Sequence, residues 1–172
     1  FYTFVLEHEK SVYTETNDIY AKAVGINGNR GAIIDFSETN PTNWNLDKPV
    51  AQKSITDAYI WEVHVADFSS DVASGVSEKN RGKYLAFTET ETTLNNGGVH
   101  ATGVNYLKDL GVNYVHLLPS YDTNNDELGT AYNWGYDPKN YNVPEGRYSS
   151  NPHEPKVRIK EFKQMVQSLH ES

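Results

Sequence analysis

The segment from Tyr132 to Pro138, YNWGYDP, combines three aromatic side chains with one carboxylate around a glycine. Tyr132, Trp134 and Tyr136 alternate along the chain, so in an extended backbone their rings project to one side. A sugar suits this group, because its C–H face stacks on an aromatic ring and its hydroxyls donate to a carboxylate such as Asp137. The segment therefore predicts either a binding site for a flat polar ligand or a buried aromatic cluster beneath a loop.

Composition narrows the ligands that this chain can bind. The 172 residues suffice for one domain or for pieces of two, and the formal net charge of -8 argues against nucleic acid. No apolar run has the length of a membrane span, so we expect no membrane partner. The chain has no Cys, and its six His lack a zinc-binding spacing, so we predict no metal site. We therefore expect a neutral partner.

The elements after residue 50 follow the order strand, long loop, helix, strand, long loop, helix. Tyr59–Val65 and Val112–Leu118 are apolar enough to be strands buried on both faces, and Gly103–Leu110 has one apolar stripe that ends at Gly111. This order predicts a βαβ crossover in an α/β fold. A last helix is predicted from Pro155 to about His170.

The loops that follow the two predicted strands are far longer than the common length of roughly two to six residues. In parallel α/β folds, ligands bind at the carboxyl ends of the strands, which is where both loops begin. The segment YNWGYDP lies in the second loop. This placement favours a ligand-binding role over a buried cluster.

The first part of the chain has a different pattern. Residues 1–36 alternate in polarity and contain turn residues at Asn27-Gly28, which predicts short strands at the end of a β-sandwich. Residues 37–57 have the polar, proline-containing composition of a linker. We therefore predict two regions, 1–50 and 51–172.

Several segments, in order along the whole chain, resemble type I pullulanase of the alpha-amylase clan. YNWGYDP is the most specific, because this signature separates these debranching enzymes from other members of the clan. The other matching segments are AKAVGINGNRGAIID (21–35), WEVHVADFS (61–69), NRGKYLAFTE (80–89), GVNYLKDLGVNYVHLLP (103–119) and VRIKEFKQMVQSLH (157–170).

The resemblance implies a glycoside hydrolase that cleaves α-1,6-glucosidic linkages in pullulan, amylopectin and related branched oligosaccharides. Residues 51–172 would be the first two βα units of a (β/α)8 TIM barrel, incomplete here, preceded by the C-terminal strands of a β-sandwich module. By the same analogy, Tyr136 stacks on the glucose next to the scissile bond and Asp137 accepts from sugar hydroxyls. Tyr132 and Trp134 would shape the same pocket.

The resemblance also implies that catalytic residues are missing. Members of the family hydrolyse with retention, and their nucleophile and acid/base come from later strands. We therefore assign no catalytic residue in this chain and expect it to be inactive alone. Among its own acids, Asp67 is expected to anchor a loop, and Asp126 and Glu127 to face solvent. No cofactor is evident, and a calcium requirement of the full-length enzyme is not readable from these residues.

Two other hypotheses remain open at this point. The chain could be a noncatalytic α-glucan-binding module, or one piece of an enzyme whose remaining segment is present in the same particle. His64, in the first predicted strand, is expected to be a core histidine rather than a proton shuttle. The lack of Cys and a polysaccharide substrate would suit an extracellular protein, although the sequence does not fix the location.

Overall fold

The computed structural model of the protein describes residues 1–12 and 15–172. These residues form two units, one of residues 1–39 and 119–159 and the other of residues 40–118 and 160–172. The strands and helices are β1 (Glu7–His8), β2 (Ser11–Val12), β3 (Ile60–Val63), α1 (Gly103–Leu110), β4 (Tyr114–Leu117), β5 (Tyr121–Thr123), β6 (Pro138–Pro144) and α2 (Pro155–Glu171). In the described part of the chain, no helix has the length and apolar character needed to cross a bilayer.

The second unit contains the predicted βαβ crossover. Strands β3 and β4 are parallel neighbours, with Ile60 opposite Tyr114 and Val63 opposite Leu117, and α1 lies between them in the chain. Helix α1 ends as predicted at Gly111, whose φ of 80° is left-handed and whose N–H donates to the carbonyls of the last turn. The prediction of a mixed α/β structure with this crossover is confirmed.

The prediction that both strands are buried on two faces is wrong for this chain. Ile60 is 58% exposed and its neighbour Tyr114 is 45% exposed, while the alternate residues of both strands are half-buried. Helix α1 covers one face, where the Trp61 and Tyr106 rings meet edge to face at 5.9 Å. A strand is buried on both sides only where both faces are covered, and the other face of this pair is exposed.

Helix α2 runs from Pro155 to Glu171, which confirms the predicted helix to within one residue. In the second unit its apolar residues pack on the region after β3: the Phe162 ring meets buried Tyr84 edge to face at 5.4 Å. Phe68 and Phe87 stack nearby, with ring centroids 3.9 Å apart. Tyr84, Phe87 and Met165 are fully buried and are the largest apolar side chains in the core of the second unit.

The N-terminal part of the first unit is less regular than predicted. Strands β1 and β2 are a two-residue antiparallel pair, and Tyr2 and Val24 each form a single bridge to Gly31. The turn predicted at Asn27-Gly28 is confirmed, because both residues have positive φ. The prediction for residues 13–14 lies outside the described residues, and the predicted region boundary near residue 50 stays a prediction.

A hairpin that the sequence did not predict lies in the second long loop. Strand β5 pairs antiparallel with β6, with Asp122 opposite Asn140 and Thr123 opposite Pro138. Buried Val143 of β6 contacts Ala21 and Val24 in the core of this unit. The segment between the two strands, residues 124–137, contains YNWGYDP. The aromatic segment is therefore presented by a hairpin that is anchored in a core.

Candidate functional site

The three rings of the aromatic segment are open to solvent. Tyr132 is 54% exposed, Trp134 is 60% exposed and Tyr136 is 68% exposed. Tyr132 and Trp134 meet edge to face, with centroids 5.6 Å apart and planes at 86°. Large exposed apolar surfaces that lie close together are typical of binding sites rather than of monomer surfaces. The alternative of a buried aromatic cluster does not fit this geometry.

Gly135 gives the segment its shape. Its φ is +90°, in the left-handed region, and a Cβ atom there would clash with the carbonyl oxygen of Pro119. Asn133 fixes this turn, since its Oδ1 accepts from the Gly135 N–H at 2.8 Å and its Nδ2 donates to Asp137 Oδ2 at 3.2 Å. The backbone is therefore not uniformly extended, and alternation alone does not set the direction of the rings.

Asp137 supplies the acidic group of the segment. Its side chain is exposed, and its backbone carbonyl accepts from the Asn124 N–H at 3.0 Å, where the hairpin loop closes. The amide of Asn133 contacts one carboxylate oxygen. A carboxylate that is anchored in this way and open to solvent can accept hydrogen bonds from ligand hydroxyls.

Arg147 fixes the backbone that leads into the aromatic segment. Its Nη1 donates to the Ala131 carbonyl at 2.6 Å, and its Nη2 donates to the carbonyls of Asp126 and Gly129, both at 3.2 Å. The fork of a guanidinium is suited to several acceptors at once. Arg147 therefore fixes Ala131, the residue before Tyr132. This role was not predicted, because no local sequence pattern pairs an arginine with distant carbonyls.

A buried ion-pair network lies within the same unit. Arg158 is fully buried, and its Nη1 and Nη2 donate to Glu127 Oε1 and Oε2 at 2.7 and 2.9 Å. Its Nη1 also contacts Asp122 Oδ1 at 3.2 Å. The expectation that Glu127 faces solvent is wrong, because a bidentate contact with a buried guanidinium accounts for its burial. Asp126, in contrast, is exposed as expected.

Glu145 connects this network to the aromatic loop. Its Oε2 accepts from the N–H and the hydroxyl of Thr123 at 2.8 and 2.7 Å, and its Oε1 accepts from the Arg147 N–H at 2.9 Å. Asp122 Oδ2 accepts from the Asn140 amide at 2.7 Å. Hydrogen bonds thus extend from the buried acids to the arginine that fixes residue 131.

The three acids Asp122, Glu127 and Glu145 form a group with metal-ligand geometry among the described residues, with oxygens within 4.8 Å of one another. Each carboxylate oxygen accepts a hydrogen bond from a donor of the chain, and the Arg158 guanidinium lies among them. A cation would have to displace that guanidinium. The arrangement fits a structural ion-pair network better than a metal site.

The charge of this network depends on Asp122. The pKa of Asp122 is raised to about 7: burial is the largest cause and the carboxylates of Glu145 and Glu127 add to it, while the Asn140 amide and the Arg158 guanidinium act in the opposite direction. Its folded pKa thus lies above the ordinary value of 3.8. Between these values the native state binds the proton and the unfolded state does not, so folding is favoured at the lower pH.

We expect Asp122 to make the protein less stable as the pH rises from about 4 to 7, with a slope of about 1 kcal/mol per pH unit. Asp122→Asn keeps the group neutral throughout and should remove that part of the slope. Urea unfolding at several pH values in this window measures the difference between the two proteins. Asp126→Asn, which changes an exposed acid of the same loop, is the control and should keep the wild-type slope.

In the second unit, a cavity of about 400 Å³ lies beside β3 and α1 and is lined by Trp61, His64, Phe68 and Leu107 among others. His64 is buried, and its Nδ1 accepts from the Asp67 N–H at 3.3 Å. The contact fixes the turn after β3, as expected for a core histidine. It is made by the backbone of Asp67, so the loop-anchoring role of the Asp67 side chain stays a prediction. The geometry gives His64 a structural role.

Comparison with known proteins relates this chain to one group of enzymes. It is 43% identical to the pullulanase of Bacillus subtilis (strain 168), over 94% of this chain and 22% of that protein. It is 31% identical to the chloroplastic pullulanase 1 of Arabidopsis thaliana, over 98% of this chain and 21% of that protein. No protein-family model matches the chain.

Solved structures give the same result. The pullulanase of Paenibacillus barengoltzii, in complex with maltohexaose and α-cyclodextrin, matches 98% of this chain with a TM-score of 0.91 and 43% identity. The pullulanase of Bacillus acidopullulyticus matches 98% of it with a TM-score of 0.90 and 42% identity. The chain covers 26% and 20% of these two structures. It is therefore homologous to pullulanases, and it spans about a fifth of the length of the curated relatives it matches.

Proposed function

We propose that this chain is part of an α-glucan debranching glycoside hydrolase, in which Tyr132, Trp134, Tyr136 and Asp137 contact the sugar. The observation that carries the proposal is the group of three exposed rings beside an exposed carboxylate, on a loop fixed by Gly135 and Arg147. The homology to pullulanases supports it, as does the complex of the Paenibacillus barengoltzii enzyme with maltohexaose and α-cyclodextrin.

The chemistry of the segment fits a neutral sugar. The exposed face of Tyr136 offers a platform for the C–H face of a glucose ring, and the Asp137 carboxylate accepts from its hydroxyls. Tyr132 and Trp134, which contact each other, form a wall of the same site. Because the rings carry no charge, the site selects shape and hydroxyl pattern rather than ionic groups.

We further propose that residues 51–172 form the first two βα units of a (β/α)8 barrel and that residues 1–50 end a β-sandwich module. The parallel pair β3 and β4 with its crossover helix α1 supports the first statement. A closed barrel of this kind typically needs about 250 residues. Further segments would then complete the barrel and cover the exposed face of β3 and β4.

Catalysis is assigned to those further segments. A retaining glycosidase needs two carboxyl groups about 5–5.5 Å apart with the scissile bond between them. In residues 1–12 and 15–172, the three clustered acids Asp122, Glu127 and Glu145 are buried and accept hydrogen bonds from the chain. A glucan does not reach them there. We therefore expect no release of maltotriose from pullulan by this chain alone, and sustained release would overturn that assignment.

The binding role is tested by Tyr136→Ala. Loss of the platform is expected to weaken binding by about fivefold, since aromatic contacts of this kind contribute about 1 kcal/mol beyond the area they bury. Affinity electrophoresis in pullulan measures the effect as a reduced retardation of the chain. Tyr20→Ala, which removes an equally exposed tyrosine from another part of the same unit, is the matched control.

Two results would contradict the proposal. If the wild-type chain is not retarded by pullulan, the segment does not bind glucan in this chain. If Tyr136→Ala and Tyr20→Ala are retarded as strongly as the wild type, the glucan binds without Tyr136. Urea unfolding of both variants shows whether a change in retardation is accompanied by a change in stability.

A further inference from the structure

A bulge in the β5–β6 hairpin directs one tyrosine outward. Asn140 pairs with Asp122, whereas Pro144 pairs with Tyr121, the preceding residue of β5. Tyr141, Asn142 and Val143 therefore lie opposite no residue of β5. Bulges of this kind bend a strand and change the direction of a side chain, and they are frequent beside functional sites.

The residues on either side of Tyr141 anchor the bulge while its ring stays in solvent. Asn140 is buried and donates to Asp122 and to the Gly28 carbonyl, and Val143 is buried in the apolar cluster of this unit. Tyr141 is 69% exposed. Its ring lies 5.2 Å from the ring of Tyr121, at an angle of 49°. The hairpin thus presents the exposed ring of Tyr141 beside the half-buried ring of Tyr121.

The charged residues of β5 and β6, Asp122 and Lys139, are both paired. Lys139 precedes Tyr141 by two residues, but its ammonium donates to the Asn27 carbonyl and to the side chain of Asn29. Asn142 is exposed and offers an amide donor and acceptor. Aromatic faces beside an amide match the C–H faces and hydroxyls of a neutral carbohydrate.

The two rings alone are too small to form a stable protein interface. Two aromatic side chains bury at most about 500 Å² together, whereas a stable protein interface buries about 800 Å² on each partner. A single glucose residue is well matched to such an area. Along an extended strand of about 3.3 Å per residue, Tyr141 lies about 10 Å beyond Pro138, the end of the aromatic segment.

We propose that Tyr121 and Tyr141 form a second contact for an α-glucan, separate from the segment Tyr132–Asp137. The choice of an α-glucan rests on the proposed function. A long glucan would be bound at the aromatic segment and again at the tyrosine pair, which adds affinity for long chains but little for short ones.

Tyr141→Ala tests this contact in the intact chain. We expect about threefold to tenfold weaker retardation in pullulan, while binding of maltotriose, followed by tryptophan fluorescence, changes less than twofold. Tyr141→Phe keeps the ring and should behave as the wild type. Tyr20→Ala is again the control for an exposed tyrosine, and urea unfolding of each variant should give the wild-type midpoint.

The outcomes separate this inference from the proposed function. Weaker retardation for Tyr136→Ala together with wild-type retardation for Tyr141→Ala would overturn the second contact alone. Absence of retardation for the wild-type chain would overturn both. If Tyr141→Ala reduces self-association in sedimentation but leaves retardation unchanged, the pair is a protein contact and the inference is wrong.

Discussion

Replacing Arg158 with methionine is expected to lower the free energy of unfolding by about 3–5 kcal/mol, because removal of one partner leaves buried charges uncompensated. The guanidinium is fully buried, donates twice to Glu127 and also contacts Asp122. Methionine fills a similar space, so the loss is one of charge and hydrogen bonds rather than of volume. Urea unfolding followed by far-UV circular dichroism measures the change.

Lys160→Met is the matched control, since Lys160 lies two residues further along α2 and is exposed. It should change the free energy of unfolding by no more than about 0.5 kcal/mol. Adding Glu127→Gln to Arg158→Met should recover part of the loss, because it removes one of the unpaired charges. Equal unfolding midpoints for Arg158→Met and Lys160→Met would show that the buried ion pairs make no net contribution to the free energy of unfolding.

The network also links stability to the candidate binding site. Glu145 is bonded to β5 through Thr123 and to the backbone of Arg147, and the Arg147 side chain fixes the carbonyl of Ala131. The aromatic segment begins at the next residue. The buried acid Glu145 is thus connected to the aromatic segment by backbone and side-chain hydrogen bonds.

Features with a local sequence signal were predicted well. Helices α1 and α2 and the turn at Asn27-Gly28 have caps, apolar stripes or glycines that act within a few residues. The crossover followed from the order of these elements. The homology to pullulanases was predicted from YNWGYDP and the other matching segments. It is confirmed by the Bacillus subtilis pullulanase, which is 43% identical over 94% of this chain.

Features that depend on distant partners were not predicted. The burial of Glu127 is explained by Arg158, which lies 31 positions further along the chain. The hairpin was not predicted because β5 has only three residues, β6 is polar and a bulge interrupts their pairing. An acid in a polar loop has the same sequence pattern whether it faces solvent or a buried arginine.

Gly135→Ala is expected to have the second large effect, and it acts on the site itself. Its left-handed φ of +90° costs an alanine about 1–2 kcal/mol, and a Cβ atom there would also clash with the carbonyl oxygen of Pro119. The backbone must therefore move at the residue between Trp134 and Tyr136. We expect a loss of about 2–4 kcal/mol in the free energy of unfolding and weaker retardation in pullulan than Tyr136→Ala shows.

Gly111→Ala separates the two causes. Gly111 also has a left-handed φ, of +80°, but a Cβ atom there meets no atom within 4 Å. Gly111→Ala should lower the free energy of unfolding only by the cost of the left-handed φ, about 1–2 kcal/mol, and should keep wild-type retardation in pullulan. The opposite result would be equal losses in the free energy of unfolding for Gly135→Ala and Gly111→Ala, with wild-type retardation of both in pullulan. The backbone at Pro119 would then move to accommodate the added methyl group, and the shape of the aromatic segment would not depend on glycine.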